Sequence, residues 1–211
     1  MTRYLFETCS NELCPDGHPV TRGIYKSQVV LNALIESHPP VVGNLADLEV
    51  REYREADKEA CRRLWKELTI KHRQIYNDPE IGGPDPGLHF DKHLEAVKPE
   101  QLMVAVADGE VVGLVGYLVL GEEEVEVEPI VVAESHRGKG IGSLLLDAVV
   151  SKFEGTGIKF LDVRPVLRNV KALEFFRKRG FDKLGRIELF IDYSDREWKK
   201  GLQIFDLDFE Y

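Results

Sequence analysis

Apolar and polar residues alternate along the middle of the chain in a way that predicts a β-hairpin. Leu102–Ala107 and Val111–Leu120 are two strand-like runs, rich in β-branched residues. Asp108-Gly109 joins them, and this dipeptide is typical of tight turns between antiparallel strands. A third strand, Glu124–Val132, alternates glutamate with valine until Pro129 interrupts the phase. One face of that strand is therefore expected to be acidic.

The period of the apolar residues changes directly after this strand. From Ile141 they fall on one face of a helix, which we expect to extend to about Phe153. Between strand and helix lies the turn Arg137-Gly-Lys-Gly-Ile-Gly142, with three glycines and two cations. Glycine lets the backbone approach a ligand closely, and the first N–H groups of a helix have no internal partners. The segment therefore predicts an anion site.

The remaining patterns predict mixed α and β structure around one sheet. Helices are expected for a segment capped by Asp57, for Leu88–Val97 and for Asn169–Arg179. Further strands are expected at Leu48–Tyr53, Gly157–Val163, from Phe181, at Ile187–Asp192 and at Gln203–Phe209. Residues 1–46 differ in composition, with two cysteines and four prolines, and are interpreted as an N-terminal extension.

Composition narrows the class of protein only slightly. The 211 residues, 43% of them hydrophobic, suffice for one large domain. A net charge of −9 argues against a nucleic-acid partner and mildly favours cationic partners such as amines. No leader pattern opens the chain, and no apolar run approaches about 20 residues. We therefore expect a cytoplasmic protein without a membrane partner.

Three known phosphate-binding patterns compete for the glycine turn. The P-loop needs Gly-x4-Gly-Lys-Ser/Thr, whereas Lys139 is followed by Gly140. The dinucleotide fingerprint needs Gly-x-Gly-x-x-Gly in a first βαβ unit, whereas the glycines here are one residue too close and lie late in the chain. The third pattern, Gln/Arg-x-x-Gly-x-Gly/Ala, fits Arg137 to Gly142.

With that pattern the turn resembles the coenzyme A pyrophosphate loop of the GNAT superfamily of acyl-CoA N-acyltransferases. Asn169-x-x-Ala-x-x-Phe-Phe-x-x-x-Gly-Phe181 is similar to the family's downstream helix. The resemblance covers residues 47–211 and leaves residues 1–46 unexplained. It implies an α/β GNAT fold, with a central mixed, twisted β-sheet of about six to seven strands flanked by helices, and assigns 47–211 to the acetyltransferase domain.

The resemblance also implies how a donor binds. Acetyl-CoA is the expected co-substrate, with its pyrophosphate on the loop amides, its pantetheine arm on the preceding strand, and added positive charge from Arg137 and Lys139. Asn169 is expected to bond the pantetheine or a nearby backbone group, or to cap its helix, and the two roles are compatible. The donor-binding candidates are Ile130, Val131, Val132, Arg137, Gly138, Lys139, Gly140, Ile141, Gly142, Ser143, Asn169 and Phe176.

The reaction that the resemblance implies is direct attack of a primary amine on the acetyl thioester, which needs a proton acceptor. Glu124, Glu126 and Glu128 are the catalytic candidates, because this strand often carries an acidic residue in the family, and Glu128 stands closest to the thioester by position. For any single glutamate, membership of an exposed acidic strand face is the favoured explanation. The acceptor, a small molecule or a protein or peptide amine, is not identified, and homodimer formation is left open.

Phe176 departs from the family pattern, because a tyrosine usually stands there. A phenol can protonate the leaving thiolate, and a phenyl ring cannot. Tyr193, Ser143 or water are alternatives for this step. The missing phenol also supports a second hypothesis, a non-catalytic acyl-CoA-binding sensor or regulatory module.

The N-terminal extension contains Cys9-x4-Cys14-x3-His18, a loose match to a zinc site. The spacing is wider than the usual Cys-x2-Cys pair, and only two cysteines contribute. Free or buried thiols are the favoured explanation, and we predict no metal site.

Overall fold

The computed structural model describes residues 47–193 and 196–211. The N-terminal extension, with Cys9, Cys14 and His18, lies outside the described residues. Its separation from residues 47–211 and the interpretation of its thiols therefore stay predictions.

The described residues form seven strands and four α-helices. The strands are β1 (Glu49–Glu52), β2 (Leu102–Ala107), β3 (Glu110–Val119), β4 (Glu124–Val132), β5 (Phe160–Asp162), β6 (Leu202–Ile204) and β7 (Leu207–Phe209). The helices are α1 (Lys58–Tyr76), α2 (Leu88–Ala96), α3 (Ile141–Phe153) and α4 (Val170–Lys178). In this part of the chain no helix combines the length and the apolar character needed to cross a membrane.

The central sheet has the order β1-β2-β3-β4-β5, so neighbouring strands follow one another along the chain. The first three pairings are antiparallel, and β5 runs parallel to β4. The β2–β3 turn confirms the hairpin prediction, since Asp108 and Gly109 both adopt positive φ angles, 51° and 78°, as a tight primed turn requires. Helix α3 provides the crossover that a parallel neighbour needs.

Helices cover both faces of the sheet, which explains why β2 is buried along its whole length. Met103, Ala105 and Ala107 of β2 pack in the cluster that contains the apolar side of α3. The alternate residues of β2 pack in a second cluster with Cys61 and Leu64 of α1 and Phe90 of α2. Strand periodicity thus divides one apolar run between two cores.

The segment after α4 differs from the sequence prediction. No strand begins at Phe181, because its N–H donates to the Phe176 carbonyl at 3.1 Å and closes the end of α4. Ile187–Asp192 is not a strand either, and Leu189 in its centre is 69% exposed. Arg186 bonds to Glu124 at 2.7 Å and Trp198 to Asp192 at 2.6 Å, so side chains hold this segment where a ladder was expected.

The last predicted strand, Gln203–Phe209, is a hairpin. Phe205 adopts a φ of 54°, which reverses the chain and pairs Ile204 with Leu207. The described central sheet therefore has five strands beside a separate two-stranded hairpin, where the sequence predicted about six to seven strands in one sheet. The α/β architecture itself agrees with the prediction.

Candidate active site

The turn between β4 and α3 presents a row of backbone N–H groups without acceptors. A single turn of 3-10 helix, Glu134–His136, leads into it, and Gly138 and Gly140 adopt φ angles of 77° and 84°. Among the described residues, no carbonyl or side chain accepts from the N–H groups of residues 138–142. The Ser143 N–H differs, because it donates to the Gly140 carbonyl at 3.0 Å. Residues 138–142 at the start of α3 therefore offer free N–H donors of the kind that anions accept from, and we call this segment the donor loop.

Two side chains fix the entry to the donor loop. The Arg137 Nε donates to the Val132 carbonyl at 3.0 Å, so this guanidinium holds the end of β4 as well as adding positive charge. Glu67 of α1 accepts from the Glu134 N–H at 2.9 Å, across 67 residues of sequence. The direction of the loop thus depends on α1, which the sequence did not show.

Strand β4 pairs with β3 along its length but with β5 only over its first three residues. Glu124, Val125 and Glu126 pair with β5, and β5 ends at Asp162. Beyond that point no described strand occupies this edge of β4, which carries the candidates Ile130, Val131 and Val132. We call this opening the β4–β5 gap. It leaves backbone N–H and C=O groups available for an extended ligand, as at any free strand edge.

A β-bulge lies at the start of the β4–β5 gap. Val127 pairs with Tyr117 and Ile130 with Val115, so Glu128 and Pro129 together oppose Gly116. A Cβ on Gly116 would lie 2.6 Å from the Glu128 carbonyl oxygen, so glycine is needed for this close approach. The bulge also changes the phase of the side chains, as Pro129 indicated in the sequence.

The three candidate carboxylates of β4 have different surroundings. Glu124 bonds to Arg186, Glu126 is 5% exposed, and Glu128 is exposed at the bulge. Glu126 contacts Arg164 at 2.8 Å. Burial raises the pKa of Glu126 above its usual value, although the positive charge of Arg164 acts in the opposite direction. The acidic face is thus partly buried and partly neutralised, which differs from a simple solvent-exposed strand face.

Sequence reasoning missed the cations around this face. Arg164 follows β5, and Arg186 belongs to the segment predicted to begin a strand, so neither carried a recognisable motif. The parallel register that pairs Glu126 with Asp162 brings Arg164 to Glu126. Only this register selects Arg164 as the partner of Glu126.

Helix α4 contributes the last two candidates. The Asn169 side chain caps it by accepting from the Ala172 N–H at 3.3 Å. Phe176 is buried in the α3-side core, with ring centroids 5.2 Å from Phe175 and 5.8 Å from Phe181. Phe175 in turn lies near Gly142, because a Cβ there would be 3.6 Å from its ring. Helix α4 therefore packs next to the donor loop, and the capping role of Asn169 is observed.

Comparisons with known proteins agree with this architecture. The sequence model of the acetyltransferase (GNAT) family matches residues 45–181. An uncharacterised protein of Mycobacterium leprae is 28% identical over 174 residues, 81% of this chain and 39% of that protein. An uncharacterised N-acetyltransferase of Bacillus methanolicus is 38% identical over 58 residues, 28% of this chain and 48% of that protein. The chain thus spans less than half the length of these two curated relatives.

Solved structures show the same fold. Ard1 from Thermoplasma volcanium superimposes with a TM-score of 0.51 at 25% identity, covering 63% of this chain and 81% of that chain. A GNAT-family acetyltransferase from Staphylococcus aureus gives 0.55 at 19% identity, covering 71% and 96%. The family match covers most of the described sheet together with the donor loop and α4. The chain belongs to the acetyltransferase (GNAT) family.

Proposed function

We propose that the protein is an N-acetyltransferase that transfers the acetyl group of acetyl-CoA to a primary amine by direct attack. One observation carries the proposal: the free edge of β4 in the β4–β5 gap leads into the unpaired N–H groups of the donor loop. The pantetheine arm of coenzyme A is extended and contains amides, so it matches the free edge of β4. The pyrophosphate at the end of that arm matches the donor loop, which follows this edge. Family membership supports an acyl-CoA donor, and the acetyl group and the amine acceptor are the finer parts of the proposal.

In this proposal the backbone of Ile130–Val132 pairs with the pantetheine arm and orients the thioester. The N–H groups of residues 138–142 bind the pyrophosphate oxygens, and Lys139 adds positive charge. Arg137 shapes the loop through the Val132 carbonyl. Asn169 keeps its capping role, and Phe176 supports the loop by packing from α4 into the core that also contains the apolar side of α3.

The chemistry requires one proton to leave the amine and one to reach the thiolate. The amine nitrogen attacks the thioester carbon, the C–S bond breaks, and coenzyme A leaves as a thiolate that takes a proton from water. We assign the proton acceptor to Glu126, with Glu128 as the alternative, because a buried carboxylate with a raised pKa is the stronger base. Glu124 is bonded to Arg186 and lies farther from the β4–β5 gap, so its proposed role is electrostatic.

A second candidate function is an acyl-CoA-binding sensor without turnover. Phe176 favours it, because its ring is enclosed by Phe175 and Phe181 and offers no proton for a leaving thiolate. The two functions share the donor site and differ only in chemistry. Homodimer formation stays a prediction for either one, and sedimentation velocity would measure it.

Release of free thiol from acetyl-CoA distinguishes the two functions. The protein is incubated with acetyl-CoA and a panel of small-molecule, peptide N-terminal and lysine amines, and thiol is measured over time. Release above the uncatalysed rate with at least one amine supports the transferase. Measurable acetyl-CoA binding with no release for any amine would favour the sensor instead.

The donor site is tested by a matched pair of glycine substitutions. Gly138 and Gly155 have similar φ angles, 77° and 72°, and a Cβ on either meets no protein atom within 4 Å. G138A and G155A should therefore cost similar stability, about 1 kcal/mol each. Only G138A places a methyl group in the donor loop, and it should weaken acetyl-CoA binding about tenfold in calorimetry. Equal affinities for the two variants would contradict the proposed donor site.

A further inference from the structure

Arg164 lies two residues beyond the end of β5 and contacts three carboxylates at the start of the β4–β5 gap. Its guanidinium is 2.8 Å from Glu126, 3.4 Å from Asp162 and 3.7 Å from Glu124. The closest of these contacts is to the most buried of the three, because the Glu126 side chain is only 7% exposed. Arg164 itself is half-exposed at 49%, so its charge faces both the carboxylates and solvent.

Glu126 has acidic neighbours on its own strand and on β5. Glu124 and Glu128 flank it on β4, and Asp162 opposes it on β5. The other nearby cation, Arg186 from the segment after α4, bonds to Glu124. Among the described residues, Arg164 is therefore the cation that bonds to Glu126.

A buried carboxylate among three other carboxylates would normally take up a proton. A protonated Glu126 could not accept a proton from an attacking amine. Arg164 opposes that outcome through its positive charge, because its guanidinium forms an ion pair with the carboxylate at 2.8 Å.

We infer that Arg164 is the positioning residue for Glu126: its guanidinium lies against this carboxylate and keeps it ionised at the point where β4 and β5 separate. The catalytic part of this inference rests on the proposed function. The ion pair itself can be tested without any substrate. Arg164 acts through Glu126 and is not itself assigned to the reacting atoms.

The sign of the expected effect follows from the two influences on Glu126. Burial raises the pKa of Glu126, and the charge of Arg164 lowers it. Removing the guanidinium leaves burial and the acidic neighbours to act alone. The pKa of Glu126 should therefore rise further, by about one unit or more for loss of an opposite charge at this distance.

The experiment follows the carboxyl carbon of Glu126 by NMR during a pH titration, with E126Q used to assign its resonance. R164M should move the titration of Glu126 upward by about one pH unit. R164K, which keeps a positive charge, should restore most of the wild-type value. R186M is the matched control: it removes a guanidinium that contacts Glu124, so the titration of Glu126 should stay close to that of the wild type.

R164Q provides a second uncharged variant in case R164M does not fold, since its amide retains a hydrogen-bond donor. It should also raise the titration midpoint of Glu126. An unchanged midpoint in a folded R164M or R164Q, or an equal shift in R186M, would overturn the inference.

Once the amine panel has identified an acceptor, enzyme kinetics test whether the ion pair affects the reaction. In R164M the acidic limb of the pH profile of kcat/KM should move upward by the same amount as the NMR midpoint, while KM for acetyl-CoA changes little. A uniform loss of activity at every pH would contradict the positioning role. Absence of thiol release in the wild type would instead reject the proposed function and leave the NMR titration to decide on the ion pair.

Discussion

At the scale of single residues, Asp57 shows how one carboxylate joins several parts of the chain. It stands at the N-cap position of α1, as predicted, but its side chain does not bond to the helix. It instead accepts both Arg51 guanidinium bonds, at 2.7 and 2.8 Å, and the Arg54 N–H at 2.8 Å. Arg51 lowers the pKa of Asp57 by hydrogen bonding. The residue therefore connects β1 to the start of α1.

Loss of this charge should destabilise the protein in a pH-dependent way. Because the folded-state pKa of Asp57 lies below its unfolded value, its ionised form stabilises the fold above the unfolded pKa, and this stability is lost as the pH falls through the folded pKa. D57N should lower the free energy of unfolding by about 2 kcal/mol at about pH 7, and by less at about pH 3. Urea denaturation at the two pH values measures the difference.

E49Q is the control for this substitution. Glu49 also contacts Arg51, at 3.5 Å, but its side chain is 65% exposed. Its replacement should change stability by no more than about 0.5 kcal/mol. An equal effect of D57N and E49Q would show that burial of the Asp57 pair contributes nothing.

At the scale of elements, residues 77–87 are folded back onto α1. Arg73 donates to the carbonyls of Ile81 and Gly83, which holds the segment over the last turns of the helix. Gly82, with a φ of 75°, passes so close that a Cβ would lie 2.6 Å from the Thr69 Cγ2. The glycine, proline and aspartate residues of this segment are typical of a loop, and the structure adds that α1 determines its path.

This contact is tested by two neighbouring glycines. G83A meets no atom within 4 Å and should cost only about 1 kcal/mol for its positive φ. G82A has the same backbone cost and adds a steric conflict, so it should cost about 1–3 kcal/mol more. T69S removes the conflicting methyl group and retains the hydroxyl bond to Trp65, so the double variant T69S/G82A should recover most of the additional loss. Thermal unfolding of the wild type, G83A, G82A and T69S/G82A gives the comparison. A double variant no more stable than G82A would contradict the packing of Gly82 against Thr69.

Local patterns predicted the elements from β1 to α4 well because each is specified by nearby residues. β4 was predicted with its observed bounds, and Asn169 was correctly predicted to cap α4. The segment after α4 has strand-like composition, but a strand also needs the edge of another strand to pair with. The hydrogen bond of the Phe181 N–H and the side-chain contact of Arg186 hold this segment in other positions instead. Within the candidate site, the spacing of the glycines predicted the turn between β4 and α3. The Arg164–Glu126 pair was not, because the parallel register that creates it is a tertiary property.

At the scale of the whole molecule, Arg168 connects the C-terminal residues to the helical layer. Its guanidinium donates to the Tyr211 carbonyl at 2.8 Å and to the Glu197 carbonyl at 3.0 Å. The same group lies over the rings of Tyr76, the last residue of α1, and Trp198, at 4.8 and 5.5 Å. One side chain thus joins the segment before α4, the end of α1 and the C-terminal hairpin.

Removal of this guanidinium should loosen the C-terminal residues selectively. R168M should increase amide hydrogen exchange in residues 196–211, while exchange in α3 stays as in the wild type. R168K retains the positive charge but not the planar guanidinium with its several N–H donors, so exchange in residues 196–211 should be intermediate between R168M and the wild type. Uniform acceleration across the described residues would indicate global destabilisation and contradict a local connection.

The bulge opposite Gly116 has a consequence for how this strand can evolve. Because Glu128 and Pro129 absorb one extra residue, the side-chain phase of the first half of β4 is uncoupled from that of the second. Substitutions at Glu124 or Glu126 therefore leave the side-chain phase of the half that leads into the donor loop unchanged. A single strand is in this way divided into two halves with separate side-chain phases, and the joint between them depends on the absence of one methyl group at Gly116.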